Sequence, residues 1–438
     1  MQAKLRVKNL FKVFGDRPGE ALDRLAAGDS KQEIFEATGQ TIGVQDVSFE
    51  VEQGQVFVVM GLSGSGKSTL VRMLNGLIRP SSGQILIDGD DIASCGADRL
   101  RAVRRDKIAM VFQHFALFPH WSIVDNAAYG LKVKGVGAAE RRKRALEALE
   151  QVGLAAWADS PPSDLSGGMQ QRVGLARGLA TDPQILLMDE PFGALDPLIR
   201  REMQEELLTL QRELKKTIIF ITHDLNEALM LGDRIAIMKD GRFVQVGTAQ
   251  EIVSNPADDY VAAFVADIDR GRVFTADTVS HAPETMQLEA DTAGDAVRSM
   301  EEQGRNALYV LDGNDEIAGV VTYQQAAAAD RESGPDDVPI CDVMITDYPS
   351  ADRDTQLADL YSSASSGLPI AVTDDDNRLV GVVEPEDVFA QLATEAPSEE
   401  EAGADAPSGD DPAADEPTDG APPADSPTKA RMAALADR

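Results

Sequence analysis

Two stretches near the start of the chain alternate between apolar and polar side chains, the pattern of strands with one buried face. They are LRVKNLFKVFG, residues 5–15, and TIGVQDVSFEVEQGQVFVVM, residues 41–60. Between them, residues 18–39 have apolar side chains at helical spacing, and Gly39 is placed to end a helix. The pattern predicts two sheet segments separated by a helical insertion.

Continuous aliphatic runs farther along indicate strands that are covered on both faces of a parallel sheet. Two such runs are Ile185–Met188 and Ile218–Thr222. The segment QILIDGDDI, residues 84–92, predicts a hairpin with an Asp-Gly turn. Helices are predicted over residues 97–106, 137–152 and 258–268. Together these elements predict an α/β fold for this part of the chain.

The region 280–392 contains an internal repeat. ALYVLDGNDEIAGVVTYQQ (307–325) aligns without a gap to PIAVTDDDNRLVGVVEPED (369–387), so that Gly319 matches Gly381. Each copy has a strand, a polar turn, a second strand and the start of a helix, and a helical stretch precedes it. The repeat predicts a pseudo-symmetric pair of small α/β modules.

The net charge of −33 sets this chain apart from most proteins of its size. Such a surface repels nucleic acid and anionic lipid head groups, so neither is expected as a primary partner. We interpret the acid excess as adaptation to a salt-rich cytoplasm, in which the repulsion is screened. The alternative is that the acidic tail alone accounts for the charge, but residues 280–390 are also rich in acid.

The composition also limits where the chain can reside and how its ends behave. Residues 395–438 have almost no large apolar side chains, which predicts a disordered acidic tail. No stretch approaches about 18 uninterrupted apolar residues, and the first residues lack an apolar signal core, so we expect a cytoplasmic protein. Cys95 and Cys341 suggest neither a disulfide nor a metal site, and both are expected to be buried.

The clearest chemical motif is GLSGSGKST, which lies between a buried apolar run and a helical pattern. Its glycines permit positive φ, and the amide groups of the turn and the following helix N-terminus form a cradle for phosphates. Lys67 is expected to reach the β- and γ-phosphates of ATP, and Ser68 to bind Mg²⁺. The predicted ATP-binding residues of this loop are Gly61, Leu62, Ser63, Gly64, Ser65, Gly66, Lys67, Ser68 and Thr69.

Hydrolysis of the β–γ phosphate bond needs further groups, and four candidate residues follow three predicted strands. Asp189 and Glu190 end the run 185–188, where strand ends meet the ligand crevice of an open α/β sheet. Asp189 suits a Mg²⁺ contact and Glu190 a general base for water. His223 ends the next strand and projects into the same crevice, while Gln113 follows a third apolar run and suits Mg²⁺ or water.

The segment LSGGMQQR, residues 165–172, combines a hydroxyl and open amide groups at the start of a predicted helix. Such a terminus can bind a second anion. If it stood alone, a simple helix cap on a glycine turn would be the favoured interpretation. In this chain the segment predicts a second phosphate-binding surface. Unlike the loop at 61–69, it has no lysine.

In order and spacing, these segments resemble the motif set of ATP-binding-cassette (ABC) ATPases across residues 4–268, with the matching elements GLSGSGKST, Gln113, LSGGMQQR, ILLMDEP, Ala194-Leu195-Asp196 and His223. Closer still, GLSGSGKSTLVRMLNGLI, VRRDKIAMVFQHFALFPH and the insertion at 18–39 resemble the ATPase subunits of glycine betaine/proline betaine importers. The repeat resembles tandem cystathionine-β-synthase-like (CBS) modules, which those importers also carry at this position.

The resemblance implies an α/β architecture in four parts: an ABC ATP-binding domain over 1–270, CBS modules over 280–335 and 336–394, and the acidic tail over 395–438. It also implies that two copies bury two ATP molecules head to tail. The signature residues of one copy would then contact ATP held by the other, and these are Ser166, Gly167, Gly168 and Gln170.

Further site residues follow from the same resemblance. Phe14 occupies the place where the family stacks an aromatic ring on adenine, although that ring is usually tyrosine. Asp196 matches the aspartate through which the two copies communicate. The loop containing Phe115, Leu117 and Phe118 would grip a cytoplasmic helix of the permease, although an apolar loop could equally be core.

The CBS modules match the family's fold better than its nucleotide motif, which pairs a Ser/Thr with an Asp three residues later. The first copy has Thr322 but Gln325, and the second has Glu384 but Asp387. Neither has the whole pair, so a nucleotide ligand and a response to ionic strength both stay open. A purely architectural dimerisation role is the alternative to regulation.

The function implied by the resemblance is ATP hydrolysis, with Mg²⁺, that powers import of glycine betaine or a related compatible solute. The expected partners are a membrane permease, an extracytoplasmic solute-binding protein and a second ATPase subunit, at the cytoplasmic face of the membrane. An ATPase of another importer, for amino acids or another osmolyte, is the first alternative. A soluble cassette acting on DNA or ribosomes is the second, which the acidic surface disfavours.

Overall fold

The computed structural model describes residues 3–113, 116–333 and 338–393. The predicted acidic tail, 395–438, lies outside the described residues. The strands in chain order are β1 (Ala3–Phe14), β2 (Thr41–Glu52), β3 (Val56–Met60), β4 (Ser82–Ile87), β5 (Asp90–Asp91), β6 (Ile108–Phe112), β7 (Ile185–Asp189), β8 (Thr217–Thr222), β9 (Arg234–Lys239), β10 (Arg242–Gly247), β11 (Thr285–Gln287), β12 (Ala307–Leu311), β13 (Ile317–Thr322), β14 (Ser350–Asp352), β15 (Ile370–Thr373) and β16 (Leu379–Val383).

Helices separate most of these strands. In chain order they are α1 (Pro18–Ala26), α2 (Lys31–Thr38), α3 (Lys67–Leu74), α4 (Ala97–Asp106), α5 (Ile123–Ala127), α6 (Tyr129–Val133), α7 (Ala138–Gln151), α8 (Gly167–Leu179), α9 (Pro197–Leu214), α10 (Leu225–Leu231), α11 (Ala249–Ser254), α12 (Asp259–Val265), α13 (Arg270–Val273), α14 (Ala276–Val279), α15 (Ala293–Gln303), α16 (Tyr323–Ser333), α17 (Tyr361–Ala364) and α18 (Pro385–Ala393).

A six-stranded sheet in the order β10-β9-β3-β8-β7-β6 forms the centre of the N-terminal region. Its strands pair in parallel, except that β10 pairs antiparallel with β9 at one edge. Every residue of β3 and β8 is buried, because side chains alternate between two apolar clusters on opposite faces of the sheet. The predicted parallel α/β arrangement is confirmed.

A second, antiparallel sheet in the order β2-β1-β4-β5 packs beside it. The insertion between β1 and β2 is helical as predicted, but it forms two helices. Ser30 begins α2 with a capping box, and Gly39 ends α2 at a φ of 70°. Ile34 and Ala21 are fully buried against β1 and β2, so the insertion is anchored to this sheet by apolar packing.

The repeat forms two three-stranded sheets, β11-β12-β13 and β14-β15-β16. Val310 pairs with Gly319 in the first copy and Val372 pairs with Gly381 in the second, so the two modules share one register. The predicted pair of related α/β modules is therefore confirmed.

The segment before each module pairs with the other module. His281, ahead of β11, pairs with Val382 of β16. Reciprocally, Ile345, ahead of β14, pairs with Val320 of β13. Each module is therefore hydrogen-bonded to the segment that leads into the other module of the same chain.

The link between the cassette and the modules is packed and hydrogen-bonded. Gln250 of α11 donates its side-chain amide to the carbonyl of Val273, at 3.2 Å. Beyond α13, the carbonyl of Phe274 accepts a hydrogen bond from the amide of Leu357 in the second module. Val273, Phe274 and Leu357 belong to one apolar cluster that extends from the cassette into the second module.

Some sequence predictions need correction. Cys341 is exposed and Cys95 is half-buried, so the prediction that both are buried is wrong. The hairpin after β4 has a second strand of only two residues, and the helix predicted to end at 268 ends at Val265. Within the described ranges, no helix has the length and apolar character to cross a membrane.

Candidate nucleotide site

The carboxyl ends of four parallel strands bring the candidate residues together. Phe112 of β6 pairs with Asp189 of β7, which pairs with Ile221 of β8, and Thr222 pairs with Met60 of β3. The residues that follow these strand ends therefore share one edge of the sheet, where open α/β folds bind ligands. The sequence predicted that these residues follow strand ends at one crevice. The register that aligns the strand ends comes from the structure.

The segment between β3 and α3 takes the conformation of a phosphate-binding loop. Gly61, Gly64 and Gly66 have φ values of 151°, 81° and 110°. A Cβ at Gly61 would lie 2.2 Å from the carbonyl oxygen of Met238, and one at Gly66 would lie 2.5 Å from that of Gly43. Glycine is therefore required at both positions for conformation and for space.

Lys67 folds back onto this loop. Its ammonium group donates hydrogen bonds to the carbonyl oxygens of Gly61, at 2.7 Å, and Leu62, at 3.0 Å. Burial lowers the pKa of Lys67, while the nearby carboxylates of Glu190 and Asp189 oppose that shift. The cation is thus held inside the loop at the place where a polyphosphate would need compensation of its charge.

Ser68 and Asp189 meet at the base of the loop. The Ser68 hydroxyl donates to Oδ1 of Asp189 at 3.2 Å. Burial is the main cause that raises the pKa of Asp189, and the Ser68 hydrogen bond acts in the opposite direction. The two oxygens lie side by side, as ligands of one cation must.

Glu190 and His223 form the second contact across the strand ends. Nδ1 of His223 lies 3.0 Å from Oε2 of Glu190. Glu190 has a φ of 47°, a left-handed conformation that is costly for a residue with a side chain. Its amide nevertheless stays bonded to the carbonyl of Ile221, so neighbouring strands hold the strained residue in place.

Gln113, which follows β6, lies near the side chain of Glu190. A Cβ at Gly193 would lie 3.4 Å from Nε2 of Gln113 and 3.8 Å from Oε2 of Glu190. The two side chains therefore border the same small space beside Gly193. Phe115, predicted to lie in the loop after Gln113, is outside the described residues.

Phe14 lies at the far end of the loop. A Cβ at Gly43 would be 2.7 Å from Cε2 of Phe14 and 3.5 Å from Cγ2 of Thr69. The ring is 42 % exposed, so one face remains open to a planar ligand. Lys12 holds its ammonium group 5.1 Å from the ring centroid. Gly43 was not predicted from the sequence, and it matters because a side chain there would clash with the Phe14 ring.

The segment 165–170 forms the N-terminus of α8. Ser166 is its N-cap and accepts a hydrogen bond from the amide of Met169. Gly168 is buried, and a Cβ there would lie 2.5 Å from Cγ2 of Ile199. Gln170 donates to the carbonyls of Pro162 and Leu165, so its amide braces the loop. Ser166 and Gly167 remain exposed.

Asp196 begins the next long helix. It is the N-cap of α9 and accepts a hydrogen bond from the amide of Ile199. Because Ile199 also packs against Gly168, the start of α9 and the start of α8 form one exposed surface. Within the part of the chain that the structure describes, no hydrogen bond or ion pair joins residues 166–170 to the phosphate loop 61–69.

These features define an ATP-binding cassette with ATPase chemistry. The phosphate loop carries a lysine, two carboxylates and a histidine lie at the neighbouring strand ends, and a capped glycine turn lies apart from them at the start of α8. The comparisons agree with this class. Residues 44–193 match the ABC transporter family, and residues 279–331 and 340–394 match the CBS domain.

Three curated relatives resemble most of the chain. It is 48% identical over 381 residues to the glycine betaine transport ATP-binding protein OpuAA of Bacillus subtilis, covering 87% of this chain and 90% of that protein. It is 47% identical to the glycine betaine/proline betaine transport system ATP-binding protein ProV of Escherichia coli, covering 87% and 96%. It is also 47% identical to the trimethylamine N-oxide transport system ATP-binding protein TmoW of Ruegeria pomeroyi, covering 76% and 96%.

The chain belongs to this family of transport ATP-binding proteins. It is an ABC-type ATPase that carries a tandem CBS pair.

Proposed function

We propose that the chain powers the import of glycine betaine or a related compatible solute. The observation that carries the ATPase part is the meeting of Lys67, Asp189, Glu190 and His223 at one edge of the central sheet. The solute class rests on the similarity to OpuAA and ProV, because no residue of an ATPase subunit needs to touch the solute.

The hydrolytic roles follow from the contacts. Glu190 accepts a proton from water as the water oxygen attacks the γ-phosphorus, and the bond from that phosphorus to the ADP oxygen breaks. His223 lies against Glu190 and is placed to hold the attacking water or the γ-phosphate. Lys67 exchanges its loop carbonyl partners for phosphate oxygens, which balance its charge more completely.

The residues present fit Mg²⁺. Ser68, Asp189 and Gln113 offer a hydroxyl, a carboxylate and an amide, the oxygen donors that this hard cation prefers, with ATP phosphates completing the set. Bound Mg²⁺ would neutralise charge on the phosphates. No group of three or more acidic, histidine or cysteine side chains within the described ranges forms a self-sufficient metal site, which accords with a cation shared with the nucleotide.

A homodimer completes the site in this proposal. Ser166 and Gly167 are exposed at a helix N-terminus, where amide groups favour an anion. Among the described residues, they make no hydrogen bond to the phosphate loop of their own chain. A second copy would present these residues, with Gly168 and Gln170 shaping the loop, to the γ-phosphate. Asp196 on the same surface then senses the partner.

The permease is assigned to a groove beside β6 and α6. The groove has a volume of about 410 Å³ and includes the apolar side chains of Phe112, Tyr129 and Val133. Val133 is 60 % exposed, an unusual degree for an apolar side chain at a groove. Phe118 supports one wall by packing against Trp121 and Tyr129. We assign this groove to a cytoplasmic helix of the permease.

The remaining partners complete the importer. An extracytoplasmic solute-binding protein would deliver solute to the permease, and the ATPase would sit at the cytoplasmic face of the membrane. In this proposal residues 1–270 act as the ATP-binding domain, and residues 280–335 and 336–394 as the two CBS modules.

The CBS pair is proposed to regulate turnover. Arg305 bonds Glu384 at 3.1 Å, and His281 lies 2.9 Å from Asp387. These contacts occupy both polar positions of the second copy's nucleotide motif. The cavity beside them is about 20 Å³, room for little more than one water. This arrangement favours a response to ionic strength through the charged pairs over a nucleotide ligand.

The host is proposed to be salt-adapted, since the net charge of −33 needs screening. ATPase activity should rise as KCl is added from dilute buffer. Full activity and stability in dilute buffer would contradict this interpretation.

Transport by the complete complex tests the function. The chain, its permease and its solute-binding protein are reconstituted in vesicles, and uptake of labelled glycine betaine is measured with ATP. Uptake should require ATP and be lost in Glu190→Gln. Trimethylamine N-oxide is the second candidate solute, given the similarity to TmoW. Uptake of that solute alone, or of an amino acid alone, would overturn the betaine assignment.

A further inference from the structure

Helix α9, which Asp196 caps, projects two polar side chains, one helical turn apart, toward α10. Arg200 donates from Nη2 to the carbonyl of Leu195, at 3.2 Å. Its Nη1 donates to Oδ2 of Asp224, at 3.4 Å. One guanidinium therefore bridges the residue before Asp196 and the residue after His223.

A second bridge lies deeper between the same helices. Gln204 donates from Nε2 to Oε1 of Glu227, at 2.9 Å. The hydroxyl of Thr222 donates to the other carboxylate oxygen of Glu227. Glu227 is only 5 % exposed, and a buried carboxylate persists only where hydrogen bonds satisfy it.

The two bridges fix the backbone on both sides of His223. Thr222 precedes it and also accepts a hydrogen bond from the amide of Asp224, at 2.9 Å. Asp224 follows it and caps α10. The imidazole itself is largely exposed, and within the described residues its hydrogen-bond partner is Glu190. Its position is thus set through the backbone.

We propose that Arg200, Gln204 and Glu227 are positioning residues that place His223 according to the position of Asp196. These three residues with Thr222 are named the α9–α10 clamp. When a second copy shifts Asp196, α9 moves with it, and the clamp carries that shift to the strand end that holds His223. The inference rests on the proposed roles of Asp196 and His223 and adds the connection between them.

The contacts explain why these residue types are needed. Arg200 presents several donors in a rigid fork, so it can hold a carbonyl and a carboxylate at once. Its Nε is buried without a hydrogen bond and lies 4.0 Å from Oε1 of Glu227. A small approach of α9 toward α10 would close this gap. Closure of the dimer can therefore form a hydrogen bond between Arg200 and Glu227 that is absent in this conformation.

Steady-state kinetics of the full chain test the proposal, with Thr222→Val and Thr222→Ser as a matched pair. Valine keeps the shape and removes the hydroxyl, whereas serine keeps the hydroxyl. We expect Thr222→Val and Arg200→Met to lower kcat at least about tenfold, as small misplacements of catalytic groups do, with KM for ATP changed less than about twofold. Thr222→Ser should restore most of the kcat.

Two further measurements separate positioning from stability. Thr222→Val should lower the melting temperature, because the buried Glu227 loses a hydrogen-bond donor. At an assay temperature where the variant is fully folded, its ATP-driven dimerisation in the Glu190→Gln background should be close to that of the parent. A double-mutant cycle of Arg200→Met with Asp196→Ala should be non-additive, because both act along one connection. Unchanged kcat, additive losses in the double-mutant cycle, or a kcat that returns to the parent's value at temperatures where Thr222→Val is fully folded would overturn the clamp.

His223→Ala distinguishes this inference from the proposed function. If His223→Ala leaves kcat unchanged, the proposed role of His223 fails and the clamp fails with it. If His223→Ala abolishes turnover while the clamp variants keep it, the clamp alone fails. Solute specificity is not involved in either result.

Discussion

Nδ1 of His223 lies 3.0 Å from Oε2 of Glu190, across the carboxyl ends of β7 and β8. The contact joins the proposed general base to the residue that would sense the γ-phosphate. The left-handed backbone of Glu190 turns its side chain toward this crevice, and hydrogen bonds of the neighbouring strands keep it there. Several variants probe this arrangement and the surfaces around it.

Glu190→Gln should bind ATP and stop turnover. The amide keeps the shape of the side chain but cannot accept a proton from water, so we expect kcat to fall by about 100-fold or more. Size-exclusion chromatography with ATP should show a trapped dimer. Glu147→Gln, on the exposed face of α7, is the control and should behave as wild type. A Glu190→Gln protein that elutes only as a monomer with ATP would contradict the dimeric site.

Phe14→Ala should weaken ATP binding. Stacking of a base on an aromatic side chain contributes about 1–3 kcal/mol, which corresponds to a loss of affinity of about tenfold or more. Phe14→Tyr keeps the ring and should retain the affinity. Titration with a fluorescent ATP analogue measures both variants. Equal affinities for Phe14→Ala and wild type would remove Phe14 from the adenine site.

Asp189→Asn should stabilise the nucleotide-free chain while it impairs hydrolysis. Because burial raises the pKa of Asp189 in the fold, its ionisation opposes folding at neutral pH. The gain in melting temperature should be largest above the folded-state pKa and fade as pH falls toward the ordinary range of an aspartate. Calorimetry across pH measures it, with the exposed Asp267→Asn as control. A gain that grows as pH falls would have the wrong sign.

Charge reversal in the CBS pair should change the salt response of ATPase activity. Arg305→Glu places two carboxylates together at a half-buried site, so the pair should separate. Combining Arg305→Glu with Glu384→Arg should restore the contact and the wild-type KCl profile. ATPase rates across KCl concentrations measure this in the full complex. Identical profiles for all variants would make the CBS pair passive.

Val133→Asp should impair assembly with the permease. A charge in the groove beside β6 must be desolvated when an apolar helix docks, so the complex should weaken by at least about tenfold. Leu77→Asp places the same charge at another exposed apolar position and should assemble normally. Co-purification with the permease measures both. Equal recovery of the two variants would move the interface elsewhere.

Local patterns predicted the parts of the structure that depend on local chemistry. The phosphate loop, the buried strands that end at Asp189 and Thr222, and the register of the repeat follow from glycine spacing, aliphatic runs and internal similarity. Positions that depend on distant neighbours were missed. Gly43, whose side chain would clash with the ring of Phe14, was not singled out. Gly168 was predicted as a signature residue, but its packing against Ile199 was not, because a linear pattern does not show which distant residue lies beside it.

The α9–α10 clamp shows the same limit. In the sequence, Arg200 and Glu227 are charged residues that no motif pairs. They become neighbours only because α9 packs against α10. Likewise, the exposure of Cys341 could not be anticipated from residue type, since it depends on a short 3₁₀ helix, Ile340–Asp342, near the start of the second module.

The reciprocal pairing of His281 with β16 and Ile345 with β13 constrains how the protein is made. On the ribosome, the strand partner of His281 emerges only about a hundred residues after it, so the first module stays incomplete until synthesis is nearly finished. The cassette, whose central strands end before residue 248, can fold earlier. Nascent chains should therefore gain an ordered cassette well before they gain the folded CBS pair.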